Sequence, residues 1–482
     1  MSRLRNLAAL VLALAAFPLF AEDDDRFELK FNRNLPFSGG RVTIDHSFGE
    51  LVVRTHPGND VQVRATIRSS DDEIGKEIRI ITSESGGVSI RTDYPEVRSF
   101  RGRLSYSVDM SVAVPANAPV TARNSFGNID VRGLQQAGVV ENKQGSITVQ
   151  DMRGAQSVSN SFGAIDVRNV SGPLTVANQN GSIDVQKVEG ALKVTNRFGS
   201  IDVSDIRDSA TLTNANGSID AMDIGGPLKV TNAFGNVRAS TIAGTADLTS
   251  SNAKIEVSNV GGAATLRNSF GNVVATTIRG SLTVDGNNSK VEATGIGGPA
   301  TIDTSFGGVV LKDVGGAATV TNNNGNVRVS DVTGTLTAET QFGSVHAERI
   351  RGAAVVTGSN AGVTLNEIGS HVRVKTNFAA VFVTNAGGGI TVSNSNGAVS
   401  VGGIRGGCHP LSLATNFSSI KVALPDGAAY DVNARTSFGR IHTDFPITTT
   451  TISDQNLSGT IGRGGCRMEL VNSNGNITIT KE

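Results

Sequence analysis

Read for its apolar and polar positions, the chain repeats one phrase at a fixed period of 18 residues, sixteen times, from Asn124 to the copy that starts at Asn394. Asn160-Ser-Phe-Gly-Ala-Ile-Asp-Val, Asn178-Gln-Asn-Gly-Ser-Ile-Asp-Val and Asn196-Arg-Phe-Gly-Ser-Ile-Asp-Val are three of these copies. Counting from zero at the first residue, position five is Ile or Val throughout (Ile129, Ile147, Ile165, Val381, Val399), and position seven is Val, Leu or Ala. Positions four and six between them are mostly polar. Period-two alternation in β-branched residues is the signature of a half-buried strand. Position ten is aliphatic, and a second short strand with apolar residues at fourteen and sixteen follows, as in Pro173-Leu-Thr-Val-Ala-Asn178. Position three is Gly in twelve copies and Ala or Ser in four, which marks a turn where the backbone needs freedom or close approach.

A unit of this size cannot bury its own apolar stripe. Stacked copies bury it continuously, at the ~4.8 Å spacing of paired strands. The expected fold is therefore all-β: a right-handed parallel β-helix, or β-solenoid, built from 18-residue units. Asn on Asn in the column Asn124, Asn142, Asn160, Asn178, Asn196, Asn214 and Asn232 predicts side-chain amide ladders. Position two alternates between Phe (Phe126, Phe162, Phe198, Phe234, Phe270, Phe306, Phe342, Phe378) and Gln144 or Asn (Asn180 through Asn396). A turn of 36 residues stacks like on like, whereas a turn of 18 alternates Phe and Asn up one corner. Both lengths fit the pattern.

The flanks are less regular. Arg3 and Arg5, an apolar run from Leu7 to Phe20 and the acidic Glu22-Asp-Asp-Asp predict a signal peptide over 1–21, and the run is shorter than the roughly 20 residues of a membrane span. Residues 22–122 read as an N-terminal β cap and first strands, with a surface turn or one short helix between Ser69 and Lys76. Residues 123–407 form the regular solenoid and 408–482 its last turns and closing cap. No transmembrane segment or sorting signal is visible after the repeats, so the product is expected to be exported, to the periplasm, the cell surface or the medium, and not to be an integral membrane protein.

Several of these marks resemble one bacterial family. They are the (Asn/Thr)-Ser-(Phe/Asn)-Gly-x-(Ile/Val) repeats, Gly49-Glu-Leu-Val-Val53, Val112-Ala-Val-Pro115, Val422-Ala-Leu-Pro425 and Asn474-Gly-Asn-Ile-Thr-Ile479. Together they resemble the "putative adhesin" β-strand-repeat family of unknown function, related to auto-transporter adhesin heads. The resemblance implies a β-helical envelope or surface protein and carries over no catalytic residue.

Charge and chemistry narrow the reading further. Without the first 21 residues, 41 basic face 43 acidic side chains. That balance argues against nucleic acid as a partner; the residues identify no partner, and a surface glycan or an envelope protein is the candidate class for such an envelope rod. Position six carries Asp130, Asp166, Asp184, Asp202, Asp220, Glu256 and Glu292, broken by Thr148, Arg238 and Arg328. Such a column reads as a solvated outer face; a calcium stripe is the competing reading, without the Gly-Gly-x-Gly-x-Asp signature of calcium β-rolls. The six His (His46, His56, His346, His371, His409, His442) share no metal-ligand spacing, so no metal and no cofactor is expected.

β-Helices also host polysaccharide lyases and hydrolases. Their sites need paired carboxylates in a groove with aromatic walls, whereas this chain has no Trp, only three Tyr, and no long loop between 124 and 404. The Phe column is expected in the core or at a corner. The sequence thus predicts a non-catalytic structural or adhesin-like envelope protein. A carbohydrate-active enzyme is the first rival and a periplasmic stress or signalling module the second. Cys408 and Cys466 are the only thiols and are candidates for a disulfide, since an exported chain meets an oxidising compartment. Against it, units about three repeats apart lie ~14 Å apart, beyond the roughly 7 Å limit for bridging.

Overall fold

The computed structural model describes residues 27–96, 104–405 and 407–482; the predicted signal peptide lies outside them. Every regular coil contributes two strands. In one coil, Leu174–Asn180 leads through a Gly corner into Ile183–Val188. Each strand pairs in parallel with its equivalent 18 residues away, as in Ile165↔Ile183↔Ile201↔Ile219. The turn of the solenoid is therefore 18 residues. Phe162 lies beside Asn180, and Asn180 beside Phe198, so the two residue types alternate along one corner.

Packing explains why these sequences take this form. Positions five, seven, ten, fourteen and sixteen all point inward: Ile183, Val185, Val188, Leu174 and Val176 are each at most 1% exposed. Removing β-branched and aliphatic side chains from water yields roughly 25 cal/mol per Å², and stacked equivalents leave no gap between coils. The sixth inward residue is the Asn at position zero, with Asn178 only 5% exposed. Its amide does not bond to the next Asn, as a ladder requires. Asn160 Nδ2 donates to Gly145 O at 2.8 Å, Asn178 Nδ2 to Gly163 O at 2.9 Å and Asn196 Nδ2 to Gly181 O at 2.9 Å. Each Asn thus satisfies the corner carbonyl of the neighbouring coil. Its Oδ1 often accepts the next backbone N–H, as from Gln179 at 2.9 Å.

The corner Gly cannot carry a side chain without disturbance. Gly181 has φ +139°, and a Cβ there would meet the Gly163 carbonyl oxygen. In two adjacent coils the pairing continues through the corner, so each pair of strands runs on as one, Leu336–Ile350 and Ala354–Ile368. A second backbone position is special as well. Position nine is left-handed in every repeat, from Asp151 (φ 58°) and Asn169 (φ 58°) to Asn385 (φ 58°), with Gly133, Gly295 and Gly403 completing the file.

The ends are built by insertion. The last strands, Arg467–Asn472 and Ile477–Lys481, do not follow their sequence neighbours along the axis. They slot between Leu411–Thr415 and Tyr430–Arg435, and between Ile420–Leu424 and Ile441–Thr443. At the other end Arg41–Asp45 and Leu51–His56 slot between Gly87–Asp93 and Val120–Phe126, and between Tyr106–Pro115 and Ile129–Arg132. Antiparallel strands then cover each terminus: Asp60–Ser69 and Phe27–Pro36 at one end, Asn456–Ile461 and Ile447–Ile452 at the other. A short helix, Asp72–Glu77, capped by Asp71, occupies the acidic segment.

Candidate functional surfaces

The position-six acids lie on the outer face of the second strand, half-exposed and in register: Asp166↔Asp184↔Asp202↔Asp220. Arginines from the same or adjacent coils engage most of them. Arg54 Nη2 meets Asp130 at 2.6 Å and Arg132 Nε meets it at 3.1 Å. Arg168 reaches Asp166 at 2.8 Å and Asp184 at 3.9 Å, and Arg238 lies between Asp220 at 3.9 Å and Glu256 at 3.8 Å. Burial pushes the Asp130 carboxyl up, but hydrogen bonds from Arg54 and Arg132 outweigh it and hold the group below its ordinary range. Asp184 and Asp220 are raised, first by burial and then, despite the nearby arginines, by carboxylates of neighbouring coils. Among the described residues, no three His, Cys, Asp or Glu are arranged to hold a metal ion.

The Phe column stands at the corner, outside the core. Its members are 42% (Phe126) to 63% (Phe378) exposed, and Phe417 and Phe438 extend the file. At the N-terminal end Phe48 stacks on Phe126, with centroids 5.0 Å apart and planes 2° apart, and Tyr94 and Tyr106 meet Phe48 edge-on. The Tyr94 hydroxyl donates to the Phe48 carbonyl at 3.2 Å, and burial pushes its pKa up to about 12. The left-handed file lines a shallow groove along another edge, with Asp205, Arg207, Asp223, Thr241 and Arg279 in its wall.

The histidines are dispersed. His46 is buried beneath the N-terminal cap, Nδ1 lies 3.3 Å from Thr92 Oγ1, and burial lowers its pKa to about 4. Cys408 and Cys466, by contrast, come together with Cα atoms 5.3 Å apart. The ~14 Å separation expected from their spacing rested on sequential stacking. Insertion of the last coil makes Leu411–Thr415 and Arg467–Asn472 direct neighbours instead.

No family model matches the chain, and no curated protein matches it. Among solved structures it is similar to a "putative cell adhesion protein" from Clostridium sporogenes, at 11% identity and a TM-score of 0.21, over 46% of this chain and 100% of that one. A likeness this slight does not bear on function.

Proposed function

We propose that this chain is a non-catalytic, exported rod of the bacterial cell envelope with a structural, adhesin-like role. The observation that carries the reading is unbroken in-register stacking. From Val120–Phe126 to Val399–Gly402 each coil repeats the strands of the last, and the described residues between them form short corners. Roughly twenty coils at ~4.8 Å make a body about 95 Å long. Catalysis needs unlike groups converging on one point, and here like groups are spread along lines, most acids already engaged by arginines. A rigid line of equal sites suits weak contact repeated many times, where effective concentration supplies the strength. The N-terminal basic and apolar segment supports export, and among the described residues no helix is long and apolar enough to cross a membrane.

The test has two arms. Fractionation of the native host, with the mass of the processed N-terminus, should place the chain outside the cytoplasm and cut near Ala21. The purified rod should be retained by isolated cell envelopes. A cytoplasmic, uncut chain sinks the proposal, as does release of reducing ends from envelope polysaccharide.

A further inference from the structure

Nine phenylalanines, Phe126, Phe162, Phe198, Phe234, Phe270, Phe306, Phe342, Phe378 and Phe417, form one straight file at a corner, each 42% to 64% exposed. Half-exposed rings repeated along one corner are more ordered than singly scattered surface apolar residues and mark a candidate contact. Strict alternation with Gln144 and the Asn residues puts consecutive rings two coils, ~9.6 Å, apart. Even the inserted last coil keeps the order. In sequence Phe417, Phe438 and Asn474 follow one another, but in space Asn474 lies between the two Phe, with its N–H donating to Asn416 O at 2.7 Å and its neighbour Ser473 accepting from Phe438 N at 2.8 Å.

The pair Phe48 and Phe126 shows how rings from adjacent coils meet at this corner: parallel, face to face, 5.0 Å apart. Rings two coils apart therefore leave a slot one ring wide, floored by an amide; at Phe198 the Arg197 guanidinium lies over the ring, 5.3 Å from its centroid, and has to swing aside for an occupant. An occupant that fills every slot must present flat apolar groups at the rod's own two-coil period. We propose that the occupant is a second copy of this chain, lying antiparallel, with each Phe entering the slot over a Gln or Asn of the other copy.

Alternation makes that arrangement self-complementary. A two-fold axis between the coils of Phe270 and Asn288 carries every Phe height from Phe126 to Phe417 onto an amide height. The contact is isologous and closes as a dimer. Nine rings, each offering about half of ~200 Å², bury ~900 Å² per copy, comparable to the ~800 Å² per partner of a stable interface. Charge permits the contact without driving it. Positions one, two and four of the sixteen repeats hold no carboxylate and only the cations Lys143, Arg197, Lys254 and Lys290. This register sets Lys254 and Lys290 of the two copies on four successive coils, each lysine neutralised by a carboxylate of its own strand, Glu256 at 2.7 Å and Glu292 at 2.5 Å. The inference is independent of what the rod binds through its other faces.

Light scattering on the purified protein at micromolar concentration should give about twice the chain mass. Phe234→Ser/Phe270→Ser/Phe306→Ser should give the chain mass, with unchanged circular dichroism and hydrogen-exchange protection and with retention by cell envelopes at monomer strength. In Arg197→Cys/Ser359→Cys, which the axis places opposite each other between copies, a short bis-maleimide should link two chains, and Ser359→Cys alone should not link. A monomeric wild type, a dimer that survives the three serines, or a dimer that the reagent fails to link overturns the proposal. So does a monomer that binds chitin or cellulose through these rings, which would assign the file to glycan instead.

Discussion

Asn196 gives the most direct test of what holds one coil to the next. It is 3% exposed, donates from Nδ2 to Gly181 O at 2.9 Å and accepts from Arg197 N at 2.9 Å. Asn196→Ala strands both backbone groups at a corner where neighbouring coils exclude most water. A buried unsatisfied backbone group costs about 1–3 kcal/mol. Two groups, one of them near solvent, should cost ~2–3 kcal/mol together. Asn196→Thr should recover part of that loss, because the repeat already contains the substitution: Thr376 Oγ1 donates to Ala361 O at 3.1 Å, the equivalent carbonyl. The expected deficit for Thr is ~1 kcal/mol, the acceptor for Arg197 N–H alone being lost.

A long repeat array does not unfold in one step, so a single midpoint is a poor measure. Native-state hydrogen exchange of amides in the coils of Gly181, Asn196 and Asn214 reads local opening directly. The reasoning fails if Thr is as damaging as Ala, or if Ala costs under ~0.5 kcal/mol, the scale of an ordinary surface change.

Four other outcomes follow from the same structure. Gly181→Ala, which forces a Cβ against the Gly163 carbonyl at φ +139°, should destabilise by at least ~2 kcal/mol, read by the same exchange experiment. Thr241→Asn should instead stabilise by ~1 kcal/mol in that assay, because Thr241 sits at φ 56°, where a β-branched residue is strained and Asn is not. His46 has a folded pKa of about 4, below the 6.5 of the free side chain, so the folded state binds its proton less readily than the unfolded state. Stability at the N-terminal end should be full above that upper value and fall as pH drops towards the lower one, with a slope up to ~1.4 kcal/mol per pH unit. Exchange measured across this range should lose that slope in His46→Gln. Cys408 and Cys466 should be bonded in protein purified without reductant, visible as a loss of two hydrogens by mass, and Cys466→Ser should weaken the C-terminal cap by up to ~4 kcal/mol given the 58-residue separation.

The core was readable because burial has a period. Ile183, Val185 and Val188 announce an inward file by alternation alone, and every such file lies where that alternation predicts. The left-handed position nine carries a fainter signature, one of composition and not of burial: eight of its sixteen residues are Asp or Asn and three are Gly, the residues that tolerate that backbone best. The Asn column was read with the right neighbours and the wrong bond. An amide in a fibril faces only its own kind, whereas here the Gly corner of the adjacent coil offers a closer carbonyl. The cysteine distance misled for a different reason. Spacing along the chain measures distance along the axis only while coils stack in order, and no local pattern near Cys466 shows that its coil is inserted.

That insertion also decides what the alternation of Phe and Asn means. If each 36-residue block were simply an inherited unit, the order of residue types would follow the chain, and the last coils would stack as Phe417, Phe438, Asn474. In space they stack as Phe417, Asn474, Phe438, so the alternation belongs to neighbours along the axis. Rings on adjacent coils are sterically acceptable, since Phe48 and Phe126 stack face to face. Interior packing therefore does not require an amide after every ring. What the amide provides is an open slot, repeated at every second coil up to the last, and an open slot has consequences only for something that approaches the rod from outside.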